Sequence, residues 1–186
     1  MQTKQDIRQQ YKQIRAAMSK QDVANKSAAM SDIFLATDIY KKCSCIMLYV
    51  PLGNEADTSV IITAAHSDGK KVVLPVTDSR TGIITPISVT ADTLLSKGAF
   101  SVLEPVCGSV VPVENIDVVL VPGIAFDAKG ARAGFGKGCY DRLLSGCYGV
   151  KVGYCYSNQL CEHIPVDEND VYMDYIVTEK ALIKCN

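Results

Sequence analysis

The stretch Ile116-Asp-Val-Val-Leu-Val-Pro-Gly-Ile-Ala-Phe-Asp-Ala-Lys-Gly-Ala-Arg-Ala-Gly-Phe-Gly-Lys-Gly-Cys-Tyr-Asp141 decides the reading of this chain. Ile116–Val121 reads as a strand without polar alternation, as expected when both faces are covered. A glycine-rich cationic loop follows, then a short helix starting near Cys139 or Tyr140. Gly134, Gly136 and Gly138 permit positive φ and let backbone N–H groups close on an anion. Arg132 and Lys137 add positive charge, and Asp141 offers a carboxylate to a divalent metal. The spacing is neither a Walker A loop, since Gly138 follows Lys137, nor a dinucleotide fingerprint. The glycines alone fit a plain strand-to-helix turn equally well. Two cations and an acid in the same turn favour a polyphosphate site.

Outward from this loop, strand and helix patterns alternate. Strands are expected at Cys45–Val50, Lys71–Pro75, Ile83–Val89, Val150–Cys155 and Tyr175–Thr178. A helix fits Thr58–His66, closed by Gly69, and a short helical segment fits Asp92–Leu95. Gly98 opens a looser connection that ends at Glu104-Pro105. Near the N-terminus, Ile7, Tyr11, Ile14 and Met18 make an apolar stripe on a helix capped by Thr3. Lys4, Arg8, Lys12 and Arg15 form a second stripe. A second helix runs from Ser19, with Asp22 completing a capping-box-like arrangement, to about Ala36. The pattern predicts one α/β domain over residues 1–186. It has three α/β/α layers, a mostly parallel sheet and an N-terminal helical pair. In such sheets ligands lie beyond the carboxyl ends of the strands. Val50–Glu55, Pro122–Tyr140 and Tyr156–Asp170 all fall there.

The composition narrows the function classes. A net charge of −1 argues against general nucleic-acid affinity. No long apolar window and a polar N-terminus point to the cytoplasm, without a membrane partner. The eight cysteines read as reduced thiols. They contain no C-x-x-C pair, and His66 and His163 are far apart, so a zinc site is not expected.

By motif the chain closely resembles the 5-formyltetrahydrofolate cyclo-ligase family, also called methenyltetrahydrofolate synthetases. The resemblance runs nearly end to end. It is carried by Lys4-Gln-Asp-Ile-Arg8, Glu55-Ala-Asp-Thr58, the block Pro122 to Asp141, and Gln159, Pro165 and Glu168-Asn-Asp170. It implies conversion of 5-formyltetrahydrofolate to 5,10-methenyltetrahydrofolate, with ATP as co-substrate and Mg2+ as metal. ATP would be held by Lys4, Arg8, Arg132, Gly134, Phe135, Gly136, Lys137, Gly138, Cys139 and Tyr140. The folate would meet Val50, Glu55, Phe135, Cys139 and Tyr140. Glu55 would accept hydrogen bonds from the pterin, Asp141 and Asp170 would bind the metal, and Lys137 and Arg132 would stabilise the transferred phosphoryl group.

A monomer or weak dimer is expected, and the sequence leaves the oligomeric state open. Cys139 departs from the family pattern, which commonly has tyrosine there. On the residues alone, Lys4 and Arg8 also read as a solvated helix face, Glu55 as a helix-start acid, and Asp170 as part of an acidic surface loop. Two other functions remain open: a related ATP-dependent enzyme acting on another acyl or amide oxygen, and a non-catalytic nucleotide-binding module.

Overall fold

In the computed structural model, which describes residues 2–185, Val118–Val121 is a fully buried strand inside an eight-stranded sheet. Along the chain come α1 (Lys4–Ala16), α2 (Lys20–Ala36) and α3 (Asp38–Lys42), then β1 (Cys45–Met47), α4 (Ser59–Ser67), β2 (Lys71–Thr77) and β3 (Ile84–Val89). Three short strands follow, β4 (Leu95–Lys97), β5 (Leu103–Pro105) and β6 (Ser109–Val110). After β7 (Val118–Val121) come β8 (Ala125–Asp127), β9 (Arg132–Ala133) and α5 (Cys139–Leu144). The chain ends with β10 (Val150–Tyr154), β11 (Leu160–Cys161), β12 (Tyr175–Val177) and β13 (Leu182–Lys184).

The strand order is β13-β12-β10-β7-β1-β2-β3-β6. The inner run from β12 to β2 is parallel, and β13, β3 and β6 add antiparallel edges. Successive side chains on a strand point to opposite faces, so each inner strand feeds two cores. Ile46, Val118, Leu120 and Val152 pack with Met30 and Phe34 of α2 and Ile61 of α4. Cys45, Met47, Val119 and Val121 pack on the other side with Leu143 and Leu144 of α5. Helices therefore cover both faces, as the strand and helix rhythm predicts. Truncating a fully buried side chain such as Leu120 to alanine would cost about 2–5 kcal/mol.

Local chemistry sets the helix starts. At α1, Thr3 Oγ1 accepts the Asp6 N–H at 3.2 Å and the Asp6 carboxylate accepts the Thr3 N–H at 3.0 Å, a complete capping box. At α2, Ser19 Oγ accepts the Asp22 N–H at 3.0 Å, but Asp22 answers through the Ser19 hydroxyl, so the reciprocal backbone bond expected there is not made.

Two segments differ from the sequence expectation. Asp92–Leu95 is not helical: the Thr90 N–H bonds Thr93 Oγ1 at 2.9 Å, and the chain then enters the β4–β5 hairpin. Threonine hydroxyls that bond nearby backbone compete with helix formation. The loop after β7 also does not lead straight to α5. The β8–β9 hairpin is interposed, with β11 pairing beside β8, and only Gly134–Gly138 form the open loop.

From β1 the chain moves outward to β2 and later returns to place β7 on the other side of β1. This reversal opens a crevice at the carboxyl ends of β1 and β7, where open α/β sheets collect ligands.

Candidate active site

A cavity of about 510 Å3 fills that crevice. Tyr49, Val50, Leu52 and Glu55 enter it from the segment after β1, and Thr77 from the end of β2. Pro122 enters after β7, and the residues from Arg132 to Asp141 line one wall, Ala133 excepted. Helix α1 contributes Lys4 and Arg8, and Asp167 and Asp170 close the remaining side. The fold thus brings together every site residue picked out from the sequence, from four ordered blocks.

The glycine loop is shaped by close approach as much as by φ. Gly136 and Gly138 have φ of 100° and 65°, in the region that favours glycine. At Gly134 the reason differs: a Cβ would stand 2.5 Å from Arg132 Nη1. The Arg132 guanidinium lies along the loop backbone, donates from Nη2 to Asp141 Oδ1 at 2.9 Å, and stacks 5.7 Å from the Tyr140 ring centroid. Its Nε is buried with no hydrogen-bond partner among the described residues. Arg8 fixes the loop from the other side, its Nε donating to Gly134 O at 2.8 Å. Lys137 stands 4.0 Å from the centroid of the Phe100 ring, while Phe135 is half-exposed between Lys12 and Arg15. Cys139 is partly buried and packs against the core beside α5.

Lys4 bonds the Asp170 carboxylate and also Asp167 Oδ2 at 2.8 Å. Burial works against the Lys4 ammonium, but the two aspartates outweigh it and raise its pKa, while Lys4 in turn lowers that of Asp167. Glu55, which also lines the cavity, is buried. Burial raises its pKa, opposed by the Leu52 N–H, which donates to Oε2 at 2.9 Å, and by Arg15, 3.4 Å from Oε1. Tyr140 is raised by burial and then by the neighbouring Glu55 charge, so it stays a neutral hydroxyl.

Asp141 and Asp170 carry the fit for a divalent ion. Among the described residues no three His, Cys, Asp or Glu side chains are disposed to cage a metal. Mg2+ needs no such cage, taking one or two carboxylates and completing its shell with phosphate oxygens and water. Two carboxylates lining a cavity that also holds Lys4, Arg8, Arg132 and Lys137 suit that chemistry.

Several cavity residues escaped the sequence reading. Tyr49 and Leu52 follow a strand end and carried a positional signal. Phe100, Val102 and Glu104 come from a stretch with little periodicity, held in place by Glu104 Oε1, which accepts the Thr77 N–H at 3.0 Å. Gln159, by contrast, is a brace: its amide donates to Gly123 O and Ile124 O, each at 3.0 Å, and it does not line the cavity.

Comparison with known proteins agrees with this geometry. The sequence model of the 5-formyltetrahydrofolate cyclo-ligase family matches residues 1–179. The mouse 5-formyltetrahydrofolate cyclo-ligase is 28% identical, covering 96% of this chain and 94% of that protein. The Haemophilus influenzae enzyme of the same name is 30% identical, covering 91% and 94%. Among solved structures, Aquifex aeolicus 5,10-methenyltetrahydrofolate synthetase superposes with a TM-score of 0.87 at 34% identity, over 97% of this chain and 92% of that one. The Mycoplasma pneumoniae synthetase, 24% identical with a TM-score of 0.78, shares the fold. Because the match runs from the α1 cations to beyond β12, with all walls of the cavity inside it, this chain belongs to the 5-formyltetrahydrofolate cyclo-ligase family.

Proposed function

We propose that this chain converts 5-formyltetrahydrofolate to 5,10-methenyltetrahydrofolate, using ATP and releasing ADP and phosphate. The observation that carries the reading is one cavity lined both by a cationic glycine loop and by a buried carboxylate, Glu55. In this reading Lys4, Arg8, Arg132 and the loop amides from Gly134 to Tyr140 hold the nucleotide. Glu55 accepts the donor edge of the pterin, with Val50, Phe135, Cys139 and Tyr140 around the folate. Asp141 and Asp170 would hold Mg2+, which when bound neutralises phosphate charge.

No protein nucleophile is needed. The formyl oxygen attacks the γ-phosphorus and ADP departs; N10 then bonds the activated carbon, the carbon–oxygen bond breaks, phosphate leaves, and N10 gives up its proton. The chain's task is to align oxygen with phosphorus and to neutralise the phosphoryl oxygens, which suits the cavity-lining cations Lys137 and Arg132. Tyr140, Tyr49 and Leu52 keep water from the acceptor end.

The proposal extends to one domain over residues 1–186 acting in the cytosol as a monomer or weak dimer, without nucleic-acid or membrane partners. The formal charge of −1 supports it, and no helix among the described residues is long and apolar enough to cross a membrane. The test is the near-ultraviolet absorbance of methenyltetrahydrofolate. It should grow only when ATP, Mg2+ and 5-formyltetrahydrofolate are all present. Nucleotide binding without that growth would instead favour a related phosphotransfer enzyme or a binding module.

A further inference from the structure

We infer that Arg15 is a positioning residue for the folate end of the site: from beneath the cavity it holds the Glu55 side chain in place and keeps it a carboxylate. The inference rests on the reading of Glu55 as the pterin contact. Arg15 lies in the last turn of α1, its side chain 12% exposed against 7% for Glu55. Its Nη1 is 3.4 Å from Glu55 Oε1 and 3.4 Å from Gly123 O, and its guanidinium is 5.8 Å from the Phe135 ring centroid. One side chain thus ties together α1, the segment after β1, the turn after β7 and the glycine loop. Glu55 lines the cavity and Arg15 does not, so Arg15 acts through its partner.

The arrangement leaves Glu55 ready for donors. Oε2 takes the Leu52 N–H, Oε1 takes Arg15, and each oxygen keeps a further lone pair for a ligand. Two donors aimed at the carboxyl oxygens favour the ionised form, because protonation replaces one acceptor site with a donor. Burial works against ionisation. The groups around Glu55 are Arg15 from α1, Tyr49 beyond β1, Tyr140 from α5 and Tyr156 beyond β10. The tyrosines have raised pKa values and remain neutral, so Arg15 supplies the positive charge. Without it Glu55 would take up a proton at higher pH, and affinity for the pterin would fall first on the acid side.

The experiment measures 5-formyltetrahydrofolate binding calorimetrically, without ATP, across pH in wild type, Arg15→Gln, Arg15→Lys and Glu55→Gln. ATP affinity and melting temperature are recorded beside it. Arg15→Gln removes the charge while keeping a polar side chain in the last turn of α1. It should weaken folate binding about tenfold or more at neutral pH, with ATP affinity little changed and the acid limb displaced upward. Arg15→Lys keeps the charge and should leave the limb near its wild-type position with a smaller loss. If Glu55→Gln binds folate normally, the pterin-contact reading fails and the inference with it. If Glu55→Gln is weakened while Arg15→Gln keeps wild-type affinity and an unmoved limb, the Arg15 inference alone fails. Equal losses of folate and ATP affinity in Arg15→Gln with an unmoved limb, or unfolding of Arg15→Gln together with a displaced limb in Arg15→Lys, would make Arg15 a structural residue and overturn it too.

Discussion

Arg132 Nη2 lies 2.9 Å from Asp141 Oδ1, so the proposed phosphate cation and the proposed metal carboxylate neutralise each other in the free protein. Lys4 does the same with Asp170, which also lines the cavity. In the proposed complex a metal nucleotide would exchange both partnerships, giving phosphates to the cations and the ion to the carboxylates. Lys137→Ala or Asp141→Ala should lower turnover by about two orders of magnitude or more, the scale of losing one preorganised charge contact. Steady-state methenyltetrahydrofolate formation at saturating ATP and Mg2+ checks this. Near-normal rates in either variant would count against the assignment.

Lys137 stands over the Phe100 ring at 4.0 Å from its centroid, a cation–π contact that must loosen if the ammonium turns to a phosphate. The chain contains no tryptophan. Phe100→Trp therefore installs a single fluorescent reporter in the cavity wall. Its emission should change on adding ATP with Mg2+, and the change should vanish in the Phe100→Trp, Lys137→Ala double variant.

Gly134→Ala should disable the loop although its φ is ordinary. The new methyl would meet Arg132 Nη1 at 2.5 Å and push the guanidinium off its course toward Asp141. ATP binding by calorimetry should weaken about tenfold or more while far-ultraviolet circular dichroism is retained. A variant binding ATP as wild type does would show that the guanidinium is free to move aside.

Glu179 supplies a pH-dependent brace away from the cavity. Burial alone would raise its pKa, but the Ser157 hydroxyl at 2.6 Å, Lys26 at 2.9 Å and the Ser157 N–H at 2.7 Å bring it down from 4.5 to about 2. A depressed carboxylate pKa gives stability that is complete above the unfolded value and lost as pH falls through the folded one. Glu179→Gln should therefore melt lower than wild type at neutral pH, with the gap closing between pH 4.5 and about 2. Thermal melts over that range would show it, and a constant gap would refute it.

The parts of this molecule that were readable in sequence are those whose chemistry is local. Ile7 and Tyr11 pattern α1, Ser19 sets the start of α2, and the apolar run at Val118–Val121 marks an inner strand. Lys4 and Asp170 were both picked out, but only through the family resemblance, because their partnership spans 166 positions. Arg15 carried a faint signal as part of the basic stripe on α1, without any hint that it turns inward to Glu55. The β4–β5 hairpin left no signal: its strands expose Leu95 and Leu103, and Glu104 fixes it to the end of β2 by a contact between distant segments. Long-range polar contacts of this kind have no periodicity to read.

The α1 cations give the site an order of assembly. Lys4, Arg8 and Arg15 precede their partners in the chain, and those partners, Asp170, Gly134 and Glu55, lie in three later segments. A nascent chain arrested before Asp170 would have a glycine loop and an acceptor end, but its leading lysine would face water. The proposed site is therefore complete only once α1 meets the segment that carries Asp170.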